Sequence, residues 1–127
     1  MILPILFIAE SLHKGKGVFT AEPIPSNTTI EISPVFILSS QEREIVEQTK
    51  LYNYIFEWGA DEKQGALGMG YISIYNHNYL ANCTYDMDYD NETISIKTVR
   101  NIDAGEELFI NYNAIYNDTT PIWFDAI

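Results

Sequence analysis

Two runs, far apart in the chain, hold side chains suited to binding and orienting a reactant. Residues 105–112 read GEELFINY, two carboxylates followed by an apolar stretch that ends on the phenol of Tyr112. Residues 76–82 read NHNYLAN, where Asn76, His77, Asn78 and Asn82 collect amides around an imidazole. Glu106 and Glu107 do not form an acid–base pair, because neighbours on a strand point to opposite faces and cannot share one substrate atom. Taken by its strand alone, Tyr112 reads as a buried tyrosine whose hydroxyl finds a partner. His77 reads likewise as a hydrogen-bonded core histidine rather than a general base. The two histidines are His13 and His77, and Cys83 is the single cysteine. Counting therefore excludes a histidine-rich metal site, a cysteine zinc cluster and an internal disulfide. Cys83 is expected as a small buried hydrophobe.

A third candidate is the turn around Lys14, Gly15, Lys16 and Gly17, where two glycines one residue apart allow a tight bend and a close approach of backbone to something bound. Alone, the pattern more often marks a plain hairpin turn. No third glycine follows at dinucleotide-binding spacing. Residues 86–92, DMDYDNE, invite a calcium-loop reading, but position six is Asn91 where glycine is needed and position twelve is Lys97 where glutamate is needed. A solvated hairpin edge that discourages aggregation, and that could receive a basic peptide, is the expectation.

Positioning these residues falls to short strands. Residues 2–8 form an apolar run with Pro4 placed where an edge strand tolerates it. Residues 18–21 and 30–38 follow as strands, separated by the turn-rich stretch 23–27. Ser39 stands three residues before Glu42, the capping-box spacing, so a short helix is expected from there to about Lys50. Residues 52–58 return to aromatic, strand-like composition and 59–65 form a polar loop. Gly65, Gly68 and Gly70 imply tight packing against the backbone. Residues 93–99 alternate with period two, as a half-buried strand does. Short strands, frequent turns and one helix indicate a mainly β domain.

The 127 residues suffice for one domain with one core. Eighteen acidic residues against seven basic ones leave a net charge of −11. Such a surplus repels a phosphate backbone and attracts cationic partners, or simply keeps a small protein in solution. Direct nucleic-acid binding is disfavoured. The apolar opening lacks a basic leader and is far shorter than the about 20 residues of a membrane span, so a first strand in a cytoplasmic protein is expected, with no membrane association. The sequons at Asn27, Asn82, Asn91 and Asn117 then arise by chance.

Four features, in this order and covering nearly the whole chain, resemble the SET-domain protein-lysine methyltransferases. The GKGVF turn resembles the family's Gly-x-Gly cofactor loop. YIFEW and ALGMGYISIYNH resemble the middle of its small bacterial and viral members. NHNYLAN resembles its Asn-His-Ser-x-x-x-Asn block and GEELFINY its Gly-Glu-Glu-Leu…Tyr block. Asn78 stands where the family has serine, Ala81 where it has proline and Asn111 where it often has Asp; each keeps a small or hydrogen-bonding character. The resemblance implies a SET-domain, β-clip-like fold of small curled sheets, with the last block threaded through a loop as a pseudoknot that one of Glu106 and Glu107 holds. Residues 1–127 would form a single domain with its core over about 4–113. The implied methyl donor is S-adenosylmethionine, giving S-adenosylhomocysteine, with no metal. The implied substrate is a protein or peptide with an accessible lysine, basic in keeping with the acidic surplus.

Methyl transfer to lysine is an in-line displacement at a sulfonium carbon, so an enzyme must supply alignment and electrostatics and needs no nucleophile of its own. Only the neutral amine attacks, and a free lysine keeps its proton up to about pH 10.4. A narrow dry channel beside a cation lowers that value by desolvation and like-charge repulsion. By the resemblance, Tyr112 is the central catalytic residue, orienting the amine and bordering the transfer pore, with Tyr85 as a second hydroxyl. Lys14, Gly15, Lys16, Gly17, Asn76, His77 and Tyr112 would bind the cofactor. Tyr54, Trp58, Tyr85 and Ile110 would line the substrate channel, with core packing the equal alternative for Tyr54 and Trp58. The extra hydroxyl at Tyr85, and Ile110 where Phe or Tyr often tunes methyl number, imply mono- or dimethylation. Trp123 and Phe124, in the tail 114–127, would close the channel or form a homodimer contact. The alternatives are a catalytically inactive SET-fold module binding basic peptides, and a small acidic β protein without a small-molecule site.

Overall fold

A computed structural model of the chain describes residues 1–12 and 15–112. In chain order its elements are β1 (Leu6–Ser11), β2 (Gly15–Thr20), β3 (Thr29–Leu38), α1 (Ser40–Val46), a 3₁₀ turn (Lys50–Tyr54), β4 (Ile55–Trp58), β5 (Gln64–Gly68), β6 (Asn76–His77), β7 (Cys83–Asp88), β8 (Thr93–Thr98) and β9 (Glu107–Ile110). The strands form two sheets, one ordered β1-β2-β9-β6 and the other β4-β5-β3-β8-β7. The fold is mainly β, as the patterning indicates. Every described pairing is antiparallel except that of β6 with β9.

Several boundaries differ from expectation for local reasons. The first strand begins at Leu6 and not at residue 2, because the chain turns at Pro4, with the Leu6 N–H donating to the Leu3 carbonyl at 3.1 Å. Met1 and Ile2 instead lie along β3, where Ile2 bridges to Glu31. The capping box forms as the spacing demands: Ser39 Oγ accepts from the Glu42 N–H at 3.1 Å and the Glu42 carboxylate accepts from the Ser39 N–H at 2.9 Å. Such a cap contributes about 1 kcal/mol. The helix stops at Val46, short of Lys50, and Thr49 caps a separate 3₁₀ turn by accepting from the Leu51 N–H at 3.1 Å. That turn takes Tyr52 and Tyr54 out of the strand, which starts at Ile55.

Ile94 and Ile96 of β8, Ile30 and Val35 of β3, Val18 of β2 and Leu108 and Ile110 of β9 meet in one apolar core. β3 carries a register shift between Thr29 and Glu31, opposite Lys97 and Ile96, which leaves Ile30 as the extra residue. The bulge breaks the alternation of the strand, so that Ile30 and Glu31 are both buried while Ile32 faces outward.

Candidate active site

The parallel pairing of β6 with β9 sets Asn76 opposite Phe109 and His77 opposite Ile110, so the NHNYLAN and GEELFINY runs are neighbours in space. Asn82 ties them further. Its Oδ1 accepts from the Phe109 N–H and its Nδ2 donates to the Glu107 carbonyl, each at 2.8 Å, so that a side-chain amide takes the part of a strand residue. Asn111, buried behind them, donates to the Tyr79 carbonyl at 3.2 Å. Both hydrogens of the Asn76 amide are committed, one to the Lys16 carbonyl at 3.0 Å and one to the Glu107 carboxylate at 2.8 Å. Glu107 also accepts from the Ser11 hydroxyl at 2.6 Å. Glycine is required at position 17, since a Cβ there would collide with the Glu107 carboxylate and stand 3.0 Å from Asn76 Nδ2. Glu106 points the other way, toward Arg100 at 2.9 Å, whose guanidinium holds its carboxyl below the usual carboxylate range.

Beyond β9 the chain reaches Tyr112, whose N–H donates to Nδ1 of His77 at 3.0 Å. A backbone N–H can only donate, so that nitrogen carries no proton and the imidazole orients the main chain of Tyr112. The Tyr112 hydroxyl donates to the Tyr75 carbonyl at 2.8 Å. With its proton thus engaged, the phenol oxygen can meet any further polar group only as an acceptor. Burial, with Tyr54 and Tyr85 alongside, pushes the ionisation of Tyr112 well above the ordinary tyrosine range and keeps it neutral. Tyr85 donates its hydroxyl to the Tyr112 carbonyl at 3.3 Å and is also pushed upward, first by burial and then by Glu57 and Tyr89. Phe56 packs edge-on against both rings, with centroids 5.3 Å from Tyr85 and 6.3 Å from Tyr112. Tyr112 lines a cleft with Asn53, Tyr54, Ile55, Phe56 and Ser73.

Of the residues predicted from sequence, Lys16, Gly17, Asn76, His77 and Tyr112 thus gather at the β2–β9–β6 junction, and Tyr54, Tyr85 and Tyr112 around Phe56. Gly15 opens β2 at φ 71°, with open space where a Cβ would stand. The Lys16 ammonium turns outward to Glu10 at 2.7 Å. Trp58 and Ile110 are not among the residues lining the cleft. Trp58 is buried in the core and meets Tyr89 edge-on at 4.9 Å, and Ile110 is fully buried in the same core. Lys14, Trp123 and Phe124 lie outside the described residues. Asp88 closes the β7–β8 turn by accepting from the Asn91 N–H at 3.1 Å and its Nδ2 at 2.7 Å. Among the described residues no group of His, Cys, Asp and Glu could hold a metal, and no helix is long and apolar enough to cross a membrane.

The model of the SET domain matches residues 15–113, from the glycine turn through the tyrosine that follows β9. The chain belongs to the SET domain family. This SET domain is 40% identical over 121 residues to a Schizosaccharomyces pombe histone-lysine N-methyltransferase specific for H3 lysine-37, covering 94% of this chain and 77% of that protein. A Plasmodium falciparum protein assigned as a histone methyltransferase superposes with a TM-score of 0.67 at 27% identity, over 87% of this chain and 95% of that one. The fold alone is shared with a humanized mutant of the Chaetomium thermophilum Polycomb Repressive Complex 2 bound to the inhibitor GSK126, at a TM-score of 0.71 and 23% identity over 88% of this chain and 15% of that one.

Two residues of this SET domain to which sequence reasoning assigns no role complete the arrangement. Tyr75, whose carbonyl receives the Tyr112 proton, donates its own hydroxyl to Glu31 at 2.8 Å, and both side chains are buried. The sequence carries no local signal for Glu31, because the alternation of Ile30 and Ile32 around it places an acid on the outer face.

Proposed function

We propose that this SET domain is a protein-lysine N-methyltransferase that moves a methyl group from S-adenosylmethionine to the side-chain amine of a lysine in a basic protein or peptide. The observation that carries this is the neutral Tyr112 phenol, its proton engaged by the Tyr75 carbonyl, standing in an aromatic cleft beside the β6–β9 junction.

The chemistry at the junction fits the cofactor. With both amide hydrogens committed, Asn76 can turn only its Oδ1 acceptor to a ligand, which suits a cationic group such as the donor's ammonium. Gly15, Lys16, Gly17, Asn76 and His77 would hold it, with Lys14 and Tyr112 beside them. Bound there, S-adenosylmethionine supplies a methyl group activated on a positively charged sulfur. The lone pairs of Tyr112 accept an N–H of the incoming amine and turn its nitrogen toward that methyl. The rings of Tyr54 and Phe56 exclude water, which favours the neutral amine, while Tyr85 holds the Tyr112 main chain from behind. Tyr112 does not take the lysine proton, because its phenol stays neutral; the proton leaves to solvent before transfer.

Several finer points belong to the same proposal. Residues 1–127 form one domain of the compact layout of the small bacterial and viral members, threaded as a pseudoknot at the parallel β6–β9 pair. The protein works inside the cell. The tail residues Trp123 and Phe124 serve either to close the channel or to form a homodimer contact, so deletion from residue 121 onward abolishes activity or dimerisation; an active monomer contradicts both roles. The product is mono- or dimethyllysine, and mass spectrometry that finds mainly trimethyllysine rules that out. Incubation of the protein with labelled cofactor and either a histone H3 peptide or mixed histones tests the function itself. The relative's H3 specificity and this chain's net charge of −11 both support that substrate class. Transfer of label to a lysine is expected, and its absence from every basic substrate, with cofactor binding intact, favours the binding module instead.

A further inference from the structure

Glu31 is fully buried, yet its carboxylate is surrounded by donors. One oxygen accepts from the Tyr75 hydroxyl at 2.8 Å, and the other from the Tyr71 N–H at 2.8 Å and the Ser33 hydroxyl at 2.7 Å. Those three donors hold the carboxylate in one place, so it in turn fixes the position of the groups that donate to it. The bulge at Ile30 is what aims it inward. Two of these three bonds fall on the two ends of one segment. Tyr71 begins the turn after Gly70, where φ is 61° and a Cβ would crowd Glu31 and Ser33. Tyr75 ends that turn and carries the carbonyl to which Tyr112 donates.

We infer that Glu31 is a positioning residue for Tyr112, clamping the segment from Tyr71 to Tyr75 so that the Tyr75 carbonyl fixes the direction of the Tyr112 hydroxyl. The inference rests on the methyltransferase reading above and names the device that sets its central group. The coupling runs from the Glu31 carboxylate to the Tyr75 phenol, through the ring to the Tyr75 main chain, and from that carbonyl to Tyr112. No proton moves along it. The clamp sets an angle, and an amine acceptor turned away from the transfer line loses rate without losing cofactor.

The test uses Tyr75→Phe and Glu31→Gln in the full chain. Tyr75→Phe removes one hydroxyl and leaves the ring, and its kcat is expected to fall about tenfold, with cofactor affinity and substrate KM unchanged, since misplacement of an orienting group acts on the chemical step. Glu31→Gln can turn its amide to donate to the Tyr75 phenol and still accept from Tyr71 and Ser33, so it is expected to lose less than about threefold as the conservative rescue. The NMR resonance of the Tyr112 hydroxyl proton reads the same geometry without turnover, and is expected to shift in Tyr75→Phe and to hold in Glu31→Gln. A wild-type chain that never methylates sinks the functional reading. Wild-type turnover with an unmoved hydroxyl resonance and unchanged kcat in Tyr75→Phe overturns the clamp. A loss that appears only as weaker cofactor binding overturns it equally.

Discussion

The backbone N–H of Tyr112 points at Nδ1 of His77 across 3.0 Å. That bond joins the end of one run to the centre of the other, and it gives the histidine an anchoring task in place of a proton-transfer one. The ring is also held by packing, edge-on to Tyr79 at 4.4 Å and tilted to Tyr112 at 5.1 Å.

His77→Phe keeps much of that packing and removes the acceptor. The Tyr112 N–H then loses its partner at a largely buried place, which costs about 1–3 kcal/mol. A lower urea midpoint and a drop in turnover are expected together. A variant as stable and as active as the parent shows that the bond neither holds the fold nor sets the tyrosine.

The two glycines at the start of β2 separate by mechanism. At Gly17 an added methyl meets the Glu107 carboxylate and the Asn76 amide, so Gly17→Ala is expected to lose about 1–3 kcal/mol of stability and to weaken cofactor binding by displacing Asn76. At Gly15 the space is open but φ is 71°, so Gly15→Ala loses about 1 kcal/mol by backbone strain alone. Denaturation beside a cofactor titration distinguishes them, and equal effects at the two positions would contradict the packing at Gly17.

Stability should fall at alkaline pH. Burial pushes the Cys83 thiol up to about 12 from 9.0, against a smaller opposite pull from Arg100, and burial raises Tyr75, Tyr85 and Tyr112 as well. These groups are neutral when folded, whereas the unfolded chain releases their protons first. Their contribution is therefore whole below about pH 9 and is lost as the pH climbs toward the folded values. The urea midpoint is expected to be lower at about pH 10.5 than at about pH 8.5, and Cys83→Ala should narrow the gap. A flat midpoint across that range would show that the thiol and phenols are more exposed than described.

Much of this was legible in the residues. Ser39 and Glu42 announce the helix start because a capping box is local chemistry, and the alternation around Ile94 and Ile96 announces β8 because one face of that strand is buried. The pairing of NHNYLAN with GEELFINY was reachable only through family resemblance, since nothing local in either run specifies a partner 31 residues away, the separation of Asn76 from Glu107. Glu31 stayed hidden for a different reason. Read with period two, residues 30–33 place Ile30 and Ile32 inward and Glu31 and Ser33 outward, and the bulge inverts that by burying Glu31 and Ser33 and leaving Ile32 42% exposed. A register shift is a tertiary event that the alternation of a single strand cannot reveal. Trp58 shows the same limit, for composition marks an aromatic residue without saying whether it packs on Tyr89 in the core or on a ligand.

The measurement that bears most directly on the whole account is Tyr112→Phe, assayed for methyl transfer to a histone H3 peptide alongside titration with S-adenosylmethionine. Loss of the hydroxyl alone is expected to lower kcat by about 100-fold or more, as removal of an orienting polar group from a dry site does, while the cofactor still binds. Full turnover by Tyr112→Phe would contradict the placement of that phenol at the reaction centre.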